Sequence, residues 1–295
     1  MRESCKDNIQ DHYIMSLTGH EENVSKFYSR VVDGNHDWNE GFLTFGLWKT
    51  KSGEPIPRPL CYRQLYDELL ENSGILPHHN VLEVACGQGS GMKRINANFG
   101  CIIQGIDVSE ANVKLGKRRL RDTGIEIIRG SATKMPYNDN AFDYIVCVEG
   151  GPHFNTREDF FKEAFRVLKP GGKLFMADVV TTKSVNELNF VNKFILKVGT
   201  RSWVVAPENI TFGLDVYEQQ FKNCGFINTN FTYIGHRVYP GYCAFNCKLS
   251  TMRQQARIRG VFEGYIGGPV IDISVKLLFS KKIIEYVFVE AVKPL

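Results

Sequence analysis

Three glycines stand at alternate positions just after an apolar run in the sequence VLEVACGQGSG, which covers residues 81–91. Because Gly87, Gly89 and Gly91 have no side chains, main-chain amides there can approach a bound molecule closely. Asp107 stands 18 residues after Gly89, where a second apolar run ends. A carboxylate in that position can accept hydrogen bonds from both hydroxyls of a ribose. The spacing therefore indicates a site for a nucleoside.

A dinucleotide site would share these two features, but its details differ. The dinucleotide fingerprint spaces its glycines as G-x-G-x-x-G, whereas this loop reads G-x-G-x-G. Glu83 also places an acid inside the strand before the loop, and a negative charge there suits a cationic ligand better than a pyrophosphate. A NAD-dependent oxidoreductase is the weaker alternative, and a loop that only makes a tight turn is another.

Hydrophobic periodicity around this loop alternates strands with helices. Strands are predicted at 80–85, 101–106, 125–129, 142–148 and 173–179, with helices between them. That alternation is typical of a parallel sheet covered on both faces. A helix at 215–224, a strand at 226–234, a helix at 243–259 and a strand at 283–291 follow an irregular segment at 183–212. Glycines between residues 260 and 269 predict a mobile loop before the last strand.

The composition is that of an ordinary globular protein, with 295 residues, 43% hydrophobic content and a net charge of +4. The one tight basic run, residues 117–121, lies on a predicted helix, so no nucleic-acid partner is expected. No apolar stretch approaches the ~18 residues of a membrane helix, and the N-terminus lacks the apolar core of a secretion signal. Eight scattered cysteines are typical of reduced thiols, without a metal site. We expect a cytoplasmic protein.

Several segments together resemble the class I S-adenosylmethionine-dependent methyltransferases. They are VLEVACGQGSG, GIDVSEANV, GSATKMPYNDNAFDYIVCVEG and FFKEAFRVLKPGGKLFMADVV, and the ending EYVFVEAVKP is similar to that of the family. Within the family, FLTFGLW and EGGPHFNTREDFF resemble the branch that methylates natural products, sterols and other small metabolites. The resemblance is good over residues 40–180 and looser at the last strand.

The resemblance implies a Rossmann-like α/β fold, with a seven-stranded, mostly parallel sheet and helices on both faces. It divides the chain into an N-terminal helical cap at residues 1–60 and a methyltransferase domain at residues 61–295. The irregular segment at 183–212 would be a lid inserted in that domain. A homodimer is compatible with this organisation.

The resemblance also implies a set of contacts to S-adenosyl-L-methionine. The methionine amine would meet the backbone near Ala85, Cys86 and Gly87, with Glu83 beside it, and Gly89 would let the loop pass beneath the ligand. Asp107 would bind the ribose. The other implied contacts are Val108, Ser131 and Ala132 around the adenine, Glu149 and Gly150 at the transferred methyl, and Tyr28 and Phe45 over the methionine end. Asn112 is also expected to contact the cofactor. The family often has Asp where Ser131 stands, so one acceptor is missing there.

Two residues are candidates for proton transfer. His153 follows the fourth predicted strand, on the rim that faces the acceptor in this family, and Asp178 lies at the end of the fifth. A histidine paired with a carboxylate could act as a general base if the acceptor must lose a proton. Each residue also has a structural interpretation: His153 could hydrogen-bond its own loop, and Asp178 could cap the lid.

The predicted function is transfer of a methyl group to a small, apolar metabolite of secondary metabolism, with oxygen favoured as the acceptor, then carbon, then nitrogen. The alternatives are a cyclase of the same fold and a non-catalytic subunit that binds the cofactor. Aromatic residues after the fifth strand could enclose an apolar acceptor or could be ordinary core; they are Phe190, Phe194, Trp203, Phe212, Tyr239, Tyr242, Phe262 and Tyr265.

Overall fold

A computed structural model describes residues 17–34, 39–201 and 204–295 of the chain. Trp203 and the first sixteen residues of the predicted cap lie outside the described residues. Seven strands form one sheet in the order β3-β2-β1-β4-β5-β7-β6. The strands are β1 Asn80–Val84, β2 Ile102–Asp107, β3 Glu126–Arg129, β4 Phe142–Val148, β5 Leu168–Thr181, β6 Ile227–Tyr233 and β7 Ile284–Val292.

The helices cover both faces of this sheet. They are α1 Gly19–Gly34, α2 Leu60–Leu69, α3 Ser90–Phe99, α4 Glu110–Arg119, α5 Arg157–Val167, α6 Phe190–Arg201, α7 Leu214–Asn223, α8 Gly235–Asn246, α9 Leu249–Arg259 and α10 Gly268–Ser280. Each face buries its own apolar core, one containing Val146 and Phe175, the other containing Ile145 and Met176. Successive residues of a strand point to opposite faces, so β4 and β5 are buried on both sides.

The first five strands run parallel, and β7 pairs antiparallel with both β5 and β6. The predicted fold class is therefore confirmed. Two helix starts are capped by side chains: Ser109 accepts from the amide of Asn112, and Thr156 accepts from the amide of Asp159. These caps matter for the site because they fix the loops that leave β2 and β4.

Three predictions beyond β5 were wrong. The segment 183–212, predicted to be irregular, contains α6, and the helix predicted at 243–259 is two helices that separate at Lys248, whose backbone is extended. The loop predicted from the glycines at 260–269 is a π-helical turn at Glu263–Gly267 that continues into α10. A Cβ at Gly264 would lie 2.2 Å from the backbone nitrogen of Ala256, so this glycine serves close packing against α9.

Helices α6, α8, α9 and α10 form a cover over the end of the sheet where β4 and β5 finish. Arg237 of α8 anchors it, because its guanidinium pairs with Glu68 of α2 and its Nε donates to the carbonyl of Lys49. Among the described residues, none of the helices combines the length and apolar content needed to cross a membrane.

Candidate cofactor and acceptor site

The glycine loop after β1 turns sharply at the carboxyl end of the strand. Ala85, Gly87 and Gly89 all have positive φ, at 56°, 54° and 79°. A positive φ is costly for a residue with a Cβ, so Ala85 is held there by its surroundings. The amide of Gly87 donates to Oδ2 of Asp107 at 2.8 Å, which ties the loop to the end of β2.

The third glycine of the motif has a different purpose from the one predicted. Gly91 lies inside α3, and a Cβ there would lie 2.4 Å from both Oε1 of Glu83 and the hydroxyl of Tyr66. The hydroxyl of Tyr66 donates to Oε1 of Glu83 at 2.8 Å. Gly91 therefore makes room for a buried carboxyl behind the loop.

Glu83 is 1% exposed, and burial raises its pKa to about 8. Its Oε2 atom has no hydrogen-bond partner among the residues that the structure describes. A buried acceptor without a donor is costly, and a cationic group beyond the loop would compensate the charged form of this carboxyl. Glu83 thus fits a site for a ligand that carries a positive charge.

Asp107 organises the centre of the cleft. Besides the Gly87 amide, its carboxylate accepts from the amide of Ser109 at 2.8 Å and from Nδ2 of Asn112 at 3.3 Å. Burial raises the pKa of this carboxyl, and the three hydrogen bonds oppose that effect. A carboxylate has about four acceptor positions, so one remains for a hydroxyl of a ribose.

A cleft of about 50 Å³ lies between this loop and α1. Nine of the predicted cofactor residues line it: Tyr28, Ala85, Gly87, Asp107, Val108, Asn112, Ala132, Glu149 and Gly150. Among the lining residues that sequence reasoning missed are Glu21 and Val24, which come from α1. Their signal is the pattern Thr18-Gly19-His20-Glu21, a capping box that starts a helix.

The remaining predicted residues lie outside the lining of this cleft. Glu83 and Cys86 are buried, and Cys86 packs beside Gly105. Gly89 faces away from the cleft, since a Cβ there would lie 2.7 Å from Leu120. The hydroxyl of Ser131 hydrogen-bonds Glu21, and Phe45 lines a second cavity.

That second cavity is much larger, at about 860 Å³, and we call it the acceptor cavity. It lies under the cover formed by α6, α8, α9 and α10, and most of its lining is apolar or aromatic. Of the aromatic residues predicted to enclose an acceptor, Tyr242 lines it. Tyr239 is core, whereas Phe190, Phe194, Phe212 and Phe262 are exposed.

The cleft and the acceptor cavity share four lining residues, Tyr28, Leu43, Glu149 and His153. Glu149 has a φ of 57°, and its Oε1 accepts from the amide of Phe45 at 2.8 Å and from the hydroxyl of Tyr286 at 2.7 Å. Burial raises the pKa of Glu149 to about 8. The carboxyl of Glu149 thus lies where the cleft meets the acceptor cavity.

His153 ends a short 3₁₀ turn, Gly151–His153, directly after β4. Its Nε2 atom lies 3.0 Å from the hydroxyl of Tyr28, and its carbonyl is 3.0 Å from Nε2 of His20. Burial lowers the pKa of His153 to about 4, and the backbone of Val204 opposes that effect. Its ring is therefore neutral near pH 7.

Asp178 is not the partner of His153, so the predicted pair of these two residues does not form. Oδ2 of Asp178 lies 2.8 Å from Nε of Arg157, and both side chains are buried, at 0% and 5% exposure. The hydroxyl of Tyr217 also donates to this carboxylate, at 3.2 Å. A buried carboxylate requires a cation or several donors, and the first residue of α5 supplies the cation.

Asp178 still acts on the His153 loop, through Arg157 and Asn209. Arg157 donates from Nη1 to the carbonyl of Asn209 at 2.6 Å. The Nδ2 atom of Asn209 in turn donates to the carbonyls of Gly151 and Phe154, at 3.1 and 2.7 Å. The network therefore positions the loop that carries His153. The described residues contain no group of three or more His, Cys, Asp or Glu side chains placed to hold a metal ion.

Comparisons with known proteins agree with this geometry. The profile of a family described as "Methyltransferase domain" matches residues 82–176, from β1 to β5. Sterol 24-C-methyltransferase erg6 of Schizosaccharomyces pombe is 31% identical over 162 residues, which are 53% of this chain and 41% of that protein. Erythromycin 3''-O-methyltransferase of Saccharopolyspora erythraea is 29% identical over 165 residues, 52% of this chain and 51% of that protein.

The chain thus spans about half the length of these curated relatives. Among solved structures, the [4+2]-cyclase SpnF has a TM-score of 0.71 at 18% identity, and the match covers 93% of this chain and 97% of the cyclase. At that identity the likeness shows a shared fold. The glycine loop, the acid after β2 and the strand order agree with this match, and residues 82–176 form a methyltransferase domain.

Proposed function

We propose that the protein transfers the methyl group of S-adenosylmethionine to a large, mostly apolar small molecule held in the acceptor cavity. The observation that carries this proposal is the junction of the two spaces at Tyr28, Leu43, Glu149 and His153. A donor in the cleft and an acceptor in the cavity would meet at this junction. In-line transfer requires such alignment together with exclusion of water.

The residues of the cleft fit the proposed cofactor. When bound, S-adenosylmethionine supplies an electrophilic methyl group on a positively charged sulfur. Asp107 would hold the ribose, Glu149 would lie beside a cationic amino-acid portion, and Glu83 adds a second acidic group behind the loop. Both carboxyls have a pKa raised to about 8 by burial, so a nearby cation favours their charged form.

The acceptor cavity suits a hydrophobic metabolite of considerable size. Its 860 Å³ lies toward the upper end of the ~300–1,000 Å³ that small-molecule sites usually occupy. Tyr242 and Phe45 form an aromatic pair on its wall, with ring centroids 4.5 Å apart. Polar and charged side chains also line it, among them Arg259, Glu263 and Asp272, and the hydroxyl of Thr44 lines the cavity without a partner among the described residues.

Oxygen remains the preferred acceptor atom in this proposal, followed by carbon and nitrogen. A hydroxyl is a poor nucleophile until it loses a proton, and the neutral ring of His153 can accept one. Carbon is the second candidate because the aromatic wall at Phe45 and Tyr242 could stabilise positive charge that develops on an acceptor carbon.

We further propose that the protein is cytoplasmic, since the cysteines of the described residues are all free thiols.

Isothermal titration with S-adenosylmethionine and S-adenosylhomocysteine tests the first step. Incubation with a pool of apolar metabolites and a methyl-labelled donor then tests transfer, and the product mass reports the reaction. A gain of one labelled methyl group supports methylation, whereas a changed product without added mass indicates a cyclase. An absence of nucleoside binding in the titration would falsify the proposal.

A further inference from the structure

The cleft has a reactive end and a far end, and the structure distinguishes them. The reactive end lies at β4, because the residues shared with the acceptor cavity include Glu149 and His153. Asp107, which would hold the ribose, follows β2. A nucleoside that reaches from β4 across β2 must place its base near the exit of β3, where Gly130 and Ala132 line the cleft.

A buried carboxylate from another part of the chain occupies that far end. Glu21 of α1 is 5% exposed and lines the cleft, and its Oε1 atom accepts a short hydrogen bond from the hydroxyl of Ser131. The contact spans 110 residues of sequence. Because Ser131 directly follows Gly130, Glu21 lies at the position where an adenine would end.

Glu21 also caps its own helix, and this contact uses only one of its two carboxylate oxygens. Its Oε2 atom accepts from the amide of Thr18 at 2.8 Å, while the hydroxyl of Thr18 accepts from the amide of Glu21 at 3.3 Å. This reciprocal pair is a capping box that starts α1. The box uses Oε2, whereas Oε1 points to Ser131 and keeps a second acceptor position.

Asn112 provides another side-chain acceptor in the cleft, but it is less suited to accept a hydrogen bond from the adenine. Oδ1 of Asn112 has no partner within the described ranges, but its Nδ2 atom donates to Asp107 at 3.3 Å. That bond holds the Asn112 amide beside the ribose. Glu21 therefore remains as the charged acceptor at the far end of the cleft.

We propose that Glu21 accepts a hydrogen bond from the exocyclic amino group of the adenine, so that α1 supplies the base-reading carboxylate of the cofactor site. This inference rests on the proposed function. It implies that cofactor binding and docking of α1 are coupled, since the same carboxylate starts the helix, contacts Ser131 and reads the base.

The test compares S-adenosylhomocysteine with S-inosylhomocysteine, in which an oxo group replaces the amino group, by calorimetric titration of the full chain. The wild type should bind the adenine form about tenfold more tightly, as expected for one hydrogen bond to a charged acceptor. Glu21→Ala should lose that preference and bind S-adenosylhomocysteine about tenfold more weakly. Adding Ser131→Asp to Glu21→Ala should restore most of both.

Two matched variants separate base reading from helix capping. Thr18→Ala breaks the capping box but keeps the carboxylate, so it should retain the preference for adenine. Glu21→Gln keeps the box, because glutamine also serves there, and should lose part of the preference. Equal affinity of wild type and Glu21→Ala for S-adenosylhomocysteine, or a Thr18→Ala variant that matches Glu21→Ala, would overturn the inference alone. A wild type that binds neither nucleoside would overturn the proposed function as well.

Discussion

The hydroxyl of Tyr28 on α1 lies 3.0 Å from Nε2 of His153 in the turn after β4. The two rings meet edge to face, with centroids 5.4 Å apart. Burial raises the pKa of Tyr28 and lowers the pKa of His153 to about 4. Both side chains are therefore neutral near pH 7, and one hydrogen bond joins them where the cleft meets the acceptor cavity.

This relationship predicts unequal effects of changing the two residues. His153→Gln should lower the single-turnover rate of methyl transfer about 100-fold if His153 is the base, since general bases contribute at least that much. Tyr28→Phe should cost about tenfold, because only one hydrogen bond to the ring is lost. Affinity for S-adenosylhomocysteine serves as the control in both. A His153→Gln variant with the wild-type rate would assign His153 to its loop alone.

The low pKa of His153 also predicts a loss of stability in acid. Its pKa in the unfolded chain is about 6.5, and in the folded protein it is about 4. As the pH falls below 6.5, the unfolded chain takes up a proton that the folded protein does not. The stabilisation is complete above pH 6.5 and declines as the pH falls toward 4, by about 3 kcal/mol in all.

Urea unfolding at pH 7.5 and pH 5.5 measures this decline. The free energy of unfolding should fall by about 1 kcal/mol more in the wild type than in His153→Gln over that interval. Parallel pH dependence in the two proteins would show that the histidine titrates normally.

The raised pKa of Glu83 predicts a pH dependence of stability opposite to that from His153. Its pKa is raised to about 8 in the folded protein, so the folded state keeps a proton that the unfolded chain releases above about pH 4.5. The resulting stabilisation is complete below pH 4.5 and is lost as the pH rises through 8. Glu83→Gln should consequently be more stable than the wild type at pH 8, by at least about 1 kcal/mol, and similar at pH 4.5.

Thermal unfolding at the two pH values measures the Glu83 effect. Glu83→Gln should also bind S-adenosylmethionine more weakly, since it cannot become negative beside a cationic ligand. Equal melting temperatures at pH 8 would contradict the raised pKa, and unchanged affinity would remove Glu83 from the proposed acidic corner.

Replacing Asp107 should weaken the binding of S-adenosylhomocysteine and lower the stability of the protein at the same time. Its carboxylate joins the Gly87 amide to the Ser109 amide, so Asp107→Ala frees the glycine loop and removes the proposed ribose acceptor. We expect at least about 1 kcal/mol weaker binding of S-adenosylhomocysteine. Asn112→Ala, which removes one donor to Asp107, is the milder comparison. Unchanged affinity in Asp107→Ala would exclude the ribose role.

The sequence was sufficient wherever a signal was local. The helices predicted between the strands begin at the side-chain caps Ser109 and Thr156, because a cap needs only residues three positions apart. The parallel sheet with helices on both faces followed from the alternation of strands and helices. The glycine loop was identified for the same reason, since one strand, one turn and one helix contain it.

The failures concern contacts between distant segments. The roles of Gly91 and Gly264 were predicted from the residues next to them in the sequence. In the structure, Gly91 makes room for Glu83 and Tyr66, and Gly264 lets α9 approach. Glu21 is 110 residues from Ser131, so no local pattern joined them. Asp178 was paired with the nearest predicted histidine, but Arg157, the first residue of α5, reaches the same strand end.

The Arg157–Asp178 pair gives the last prediction. Removing one partner of a buried ion pair leaves an uncompensated charge, which costs about 3–5 kcal/mol, so Arg157→Ala and Asp178→Ala should each lose that much free energy of unfolding. The double variant should lose clearly less than the sum of the two, because it leaves no charge behind. Asn209→Ala keeps the ion pair but releases the Gly151 and Phe154 carbonyls. It should therefore slow methyl transfer more than it lowers stability, and Asn209→Ala with an unchanged rate would mean that the His153 loop needs no such support.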